Sequence, residues 1–198
     1  MVPMNFTKKL PPKFSPFRKL DFSRESPSYM MVNVLMALIL LLFYYIFSTI
    51  VQSMVPEFEG AALGGFSFWE VMIVFVLAFV MMFLHEGIHF FVYKTITGTK
   101  PDFAAKSANP KTRMPDVYFG KWLFIIVKLI PLLVLTLLFL AIAPIIPLSW
   151  MTYAIFFFAG NAAFSASDLI ALTQVLRTKG EIFVEDLSDV VILYSKEA

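Results

Sequence analysis

Four stretches of this 198-residue chain run for about 20 residues or more with almost no charge, and no other feature limits its fold so tightly. They extend from about Tyr29 to Val51, Phe66 to Lys94, Trp122 to Ile146 and Leu148 to Leu176. A helix needs about 20 apolar residues to cross the hydrocarbon core of a bilayer. Lipid offers backbone groups no partner, so a crossing segment must bond within itself, which selects helices. With 59% hydrophobic residues, 15% charged residues and a mean hydropathy of +0.79, the chain carries more apolar surface than a soluble core of this length would hide. The sequence therefore predicts an all-α integral membrane protein with four transmembrane helices. Pro144 and Pro147 turn the last two runs into a hairpin.

Three regions follow: a basic arm over 1–28, a four-helix membrane domain over 29–176, and a tail over 177–198. The arm is too long and polar to open a signal peptide and reads as a basic leader before an uncleaved helix. It suits loose contact with anionic headgroups, and disorder is equally compatible with its composition. The tail reads as strand, turn, strand: Ile182 to Val184, Leu187 to Asp189, then Val190 to Tyr194, a small β-hairpin. A short extended piece is expected around Asp102–Lys106.

Basic residues fix an expected orientation. The arm holds six, the 94–121 segment holds Lys94, Lys100, Lys106, Lys111, Arg113 and Lys121, and the tail holds Arg177, Lys179 and Lys196. The 52–65 connection has Glu57 and Glu59 but no base, and the 144–149 turn has no base either. The positive-inside tendency then places both termini and the middle loop in the cytoplasm, with the chain in the plasma membrane. The absence of cysteine excludes disulfides, thiolate metal sites and cysteine nucleophiles. The composition gives no reason to expect a nucleic-acid partner.

The second run contains His85-Glu86-Gly87-Ile88-His89, and these are the only two histidines. Histidines four apart share a helical face and can reach one metal ion. The glutamate beside them can accept a proton from a water at that metal. Two interfacial histidines capping a membrane helix are the plainer alternative, but ionisable groups in spanning helices are costly and usually functional. His85 lies about 17 residues into its run, roughly 25 Å at 1.5 Å per residue, near the expected cytoplasmic edge. Asp168 lies about 20 residues into the fourth run, roughly 30 Å down, at similar depth.

Candidates for a third ligand are few. A metzincin extension would need Gly at 92 and His at 95, where this chain has Val92 and Thr95, and no glutamate occurs between Glu86 and Glu181. Asp102 and Asp116 belong to the polar loop. Asp168 is the acidic residue inside a late helix, and it could either bind the metal or pair with Lys128. Lys128 itself could snorkel to the interface, neutralise a carboxylate or bind substrate. Asn161 shares a face with Asp168 and could support the site or a helix contact.

These residues resemble a family of small bacterial multipass membrane proteins described as putative zincin peptidases, long classed as a domain of unknown function. The resemblance covers most of the chain from about residue 30. It rests on His85-Glu86-x-x-His89, on Gly98 and Pro101, on Pro131, and on Asn161 with Asp168. The Glu185-Asp186 pair in the tail also matches. The layout is more distantly similar to site-2 proteases, although their Asn-Pro-Asp-Gly signature is absent, since Ser167 precedes Asp168 and Leu169 follows it. The resemblance implies one zinc ion per chain held by His85, His89 and Asp168, with Glu86 as general base.

The expected function is zinc-dependent hydrolysis of a transmembrane or membrane-proximal peptide near the cytoplasmic face. The rival readings are a metal-binding regulatory membrane protein without turnover, and a small transporter or channel subunit with Glu86, Lys128 and Asp168 along an ion path.

Overall fold

The computed structural model describes residues 5–58, 67–106 and 109–196. Strands β1 (Phe6–Thr7) and β2 (Phe14–Asp21) precede helix α1 (Ser28–Met54). Helix α2 (Phe68–Thr97) is followed by β3 (Asp102–Lys106), β4 (Asn109–Arg113) and β5 (Tyr118–Gly120). Helix α3 (Lys121–Ile142) runs into a 3-10 turn over Ala143–Ile145. Then come α4 (Leu148–Phe164), α5 (Ala166–Arg177), β6 (Ile182–Asp186) and β7 (Val190–Lys196). Of the 52–65 connection, residues 59–65 lie outside the described residues.

Four helical segments, Ser28–Met54, Phe68–Thr97, Lys121–Ile145 and Leu148–Arg177, are long and apolar enough to cross a membrane. They are not amphipathic in the soluble manner. Leu38, Leu41 and Leu42 on α1, and Phe75, Val76 and Phe79 on α2, are exposed, so these helices are apolar on the outside as well as toward the core. Local sequence sets the ends of α2. Ser67 N–H donates to Glu70 Oε2 at 2.7 Å and Glu70 N–H to Ser67 Oγ at 3.3 Å, a reciprocal capping box. At the other end Gly98 takes φ +65°, a left-handed conformation that glycine adopts without strain, and its N–H bonds to Lys94 O at 2.9 Å.

The chain divides into two compact units. One comprises Met1–Asn33, Glu86–Ile130 and Ser167–Ala198. Its centre is a five-stranded antiparallel sheet in the order β1-β5-β6-β7-β2. Strand β2 runs along β7 from Phe14↔Lys196 to Asp21↔Val190, with an irregularity between Pro16 and Arg18 where the proline cannot donate to the ladder. Strands β3 and β4 form a separate hairpin, pairing Asp102 with Arg113. Tyr93, Phe119, Phe124, Val184 and Leu193 are buried here, with Tyr93 and Phe119 ring to ring at 5.3 Å.

This unit corrects the all-α expectation. The protein is mostly helical but also carries a small antiparallel sheet. The β-hairpin of the tail is present as β6 and β7, yet it lies inside a larger sheet, flanked by β5 and by the N-terminal arm. That arm is therefore not merely a basic leader. Its Phe14 packs edge-on against Phe183 at 5.1 Å, giving the strand an apolar anchor.

The second unit comprises Val34–His85 and Pro131–Ala166. Aromatic contacts hold it: Tyr44 with Phe156 at 4.5 Å, Phe47 with Phe139 at 4.8 Å, and Phe139 with Phe158 at 4.9 Å. The fourth run, expected as one helix, is divided at Ser165. Both its N–H (3.2 Å) and its Oγ (3.0 Å) bond to Asn161 O, a sharing of one carbonyl that weakens and bends a helix where it occurs. Asp168 consequently sits in the first turn of α5 rather than deep within a continuous helix. A helix N-terminus favours a carboxylate there.

Candidate metal centre

Helix α2 supplies three of the site residues. His85 and His89 follow each other by one turn along it, and both are buried at 2% exposure. Asn161 reads the protonation of His85. The Nδ2 of Asn161 donates to Pro131 O at 3.2 Å, and a carbonyl can only accept, so Asn161 Oδ1 is the atom 2.9 Å from His85 Nδ1. An amide oxygen accepts, so Nδ1 carries the proton. Nε2 is then the unprotonated nitrogen, the form in which imidazole binds a metal.

His89 Nε2 lies 3.0 Å from Asp168 Oδ2, and its ring stacks on Tyr93. The other oxygen of Asp168, Oδ1, lies 2.9 Å from Lys128 Nζ. The two fates expected for Asp168 are therefore not exclusive. One oxygen faces a histidine of the motif and the other faces the lysine. Lys128 is buried at 6% exposure rather than snorkelled to a surface. A second carboxylate, Asp186 Oδ2 on β6, lies 2.7 Å from the same ammonium and also accepts from Tyr93 Oη.

Glu86 is half-buried on α2. Its Oε2 accepts from Thr112 N at 2.8 Å, while Thr112 Oγ1 donates to Glu86 O at 2.9 Å. Strand β4 thus grips both ends of the glutamate. Its neighbour Lys111 pairs with Asp189 in the β6–β7 turn. Burial pushes the Lys111 ammonium down, and the nearby Glu86 charge acts against that shift.

His85, His89 and Asp168 each offer a ligand atom, and these atoms all lie within 4.8 Å of one another. Zinc bonds of about 2.0–2.2 Å would space tetrahedral ligands by roughly 3.4 Å, so the three side chains would draw together by up to about 1.4 Å to close on an ion. Two imidazoles and a carboxylate are a donor set that zinc accepts, and three protein ligands with an open position mark catalytic sites. Among the described residues no fourth His, Cys, Asp or Glu joins the group. The residues fit the metal.

Asp102 and Asp116 stay apart from the site. Asp102 is exposed and pairs with Arg113 at 3.2 Å, and Asp116 is exposed in a turn at φ +58°. Sequence reasoning gave no role to Tyr93 or Thr112. A tyrosine two turns past His85 and a threonine in a polar loop carry no local signal, because their partners come from distant segments. Asp186 was marked by the family resemblance alone, without a role.

A family model described as "putative zincin peptidase" matches residues 78–183. The matched span includes the motif, Lys128, Asn161 and Asp168, and it ends within β6. No curated protein and no solved structure matches the chain, so the distant likeness to site-2 proteases has no match behind it.

Proposed function

The chain belongs to this zincin peptidase family, whose model spans more than half of it, and from that premise we propose that it is a zinc-dependent membrane metallopeptidase. The observation that carries the reading is the buried His85–His89–Asp168 group, with Glu86 in the same helix as the histidines. A zinc ion held by His85, His89 and Asp168 would supply Lewis acidity toward a peptide carbonyl and toward a water that must lose a proton before it attacks. Glu86 accepts the proton of the attacking water and delivers it to the leaving amine. The Thr112 amide orients the Glu86 carboxylate for both transfers. Asn161 holds His85 in its metal-binding tautomer, and Asp168 contributes the anionic ligand.

The four long helices, apolar on their exposed faces, support insertion in a bilayer. With 15 of the 16 basic residues in the arm, the 94–121 segment and the tail, both termini are cytoplasmic and the site lies near that face of the plasma membrane. A site at such a depth meets transmembrane or membrane-proximal peptides. An ion path is disfavoured by the pairing of Lys128 with Asp168 and Asp186, which leaves these charges engaged with one another in a buried cluster.

The test is Glu86→Gln. Glutamate in this motif is not a ligand, so zinc content should match wild type while hydrolysis of a membrane-tethered peptide falls by about 10²–10⁴-fold. Wild-type cleavage by Glu86→Gln would remove the glutamate from the mechanism. Cleavage lost together with zinc would make Glu86 a structural or ligand residue instead. A wild-type protein that holds zinc yet cleaves nothing would favour the regulatory scaffold.

A further inference from the structure

The motif and its aspartate do not account for the tail. Strand β6 carries Asp186 into the protein at 0% exposure, with Lys128 against its carboxylate. We propose that Asp186 is a positioning residue of the metal centre: it supplies the counter-charge of Lys128 and thereby leaves Asp168 to the metal. The inference rests on the zinc reading above and concerns how that site is kept available.

A buried ammonium needs a carboxylate partner, and an unpaired one is strongly unfavourable. Lys128 has two, Asp168 Oδ1 at 2.9 Å and Asp186 Oδ2 at 2.7 Å. A metal at His85 and His89 draws on Asp168, whose Oδ2 already lies 3.0 Å from His89 Nε2. With Asp186 present, one carboxylate answers the lysine and the other answers the metal. Without it, Asp168 is the one carboxylate left in an ion pair with Lys128 among the described residues, and every metal–Asp168 bond is made in competition with that pairing.

The surroundings of Asp186 serve this role. Its Oδ1 accepts from Ser188 N at 2.9 Å in the tight turn after β6, and its backbone O accepts from Met114 N at 2.8 Å. These bonds fix the carboxylate so that Oδ2 faces Lys128 Nζ and Tyr93 Oη, both donors. Asparagine is nearly isosteric yet cannot replace it. Placing its oxygen toward Ser188 N turns its NH2 against the ammonium and the phenol, and the flipped amide faces the Ser188 N–H instead.

Zinc affinity, measured on the full chain in detergent by competition with a chromophoric chelator, tests the proposal. Asp186→Asn should weaken zinc binding by about 10–100-fold, the range for residues that support a ligand without touching the metal. Adding Lys128→Met should restore affinity to within about threefold of wild type, because the competing cation is gone. A purely structural role for Asp186 predicts no such rescue. Asp186→Asn with wild-type affinity overturns the proposal and leaves the zinc reading standing, as does a loss that Lys128→Met fails to restore. If Asp186→Asn alone does not fold, the double variant is compared with Lys128→Met, and a difference above about threefold overturns the proposal. A wild-type protein that binds no zinc overturns both readings together.

Discussion

Asn161 and His85 are joined by a hydrogen bond whose direction is forced: the amide NH2 is committed to Pro131 O at 3.2 Å, and the amide oxygen receives His85 Nδ1–H at 2.9 Å. Pro131, the one proline inside α3, thus has its carbonyl engaged by a side chain whose other end sets the histidine. Asn161 is fully buried, so water does not substitute easily for either bond.

Asn161→Ala should therefore weaken zinc binding by about 10–100-fold, through loss of tautomer and ring orientation. Asn161→Asp keeps an acceptor for His85 but loses the donor to Pro131 O, and its affinity should fall between the two. Chelator competition on the three proteins decides the order. Equal affinities would mean that Asn161 serves only the packing of α4.

Asp168→Ala should cost more zinc affinity than Asn161→Ala, because it removes a ligand rather than the support of one. Lys128→Met should keep zinc while destabilising the protein by about 3–5 kcal/mol, through the buried carboxylate it strands at Asp186. Elemental analysis and thermal unfolding separate the two quantities. A variant lacking both Asp168 and Lys128 that is folded, zinc-replete and active would remove Asp168 from the site.

Much of this was legible in the sequence because it is local. Four long apolar runs announce four membrane-length helical segments, and His85, Glu86 and His89 lie within about one turn. Residue counts along the second and fourth runs point to similar levels for the histidines and Asp168, and His89 Nε2 does lie 3.0 Å from Asp168 Oδ2 although the fourth run is divided at Ser165. The sheet was not legible. Strand β2, with the sequence FSPFRKLD, carries a proline and three charges, and its pairing with β7 joins opposite ends of the chain. Asp186 was hidden for the same reason: a carboxylate at the end of a short hairpin reads as solvated until the partner lysine, on α3, is placed beside it.

Orientation can be checked with the chain's lack of cysteine as an advantage. Single cysteines at Ser53 and Lys100, both exposed positions, should differ toward an impermeant thiol reagent on intact cells. Position 53 should label and position 100 should not. Ser107, in the same expected cytoplasmic loop, lies outside the described residues and should behave as position 100 does. The reverse pattern would invert the topology and move the site to the other face.

The proposed function requires a metal ion held by the two histidines of α2. Elemental analysis of purified protein, wild type beside His89→Ala, measures this directly. One zinc per chain in the wild type and close to none in His89→Ala is the predicted result. Zinc absent from the wild type after reconstitution, or present in equal amount in His89→Ala, would contradict the account at its centre.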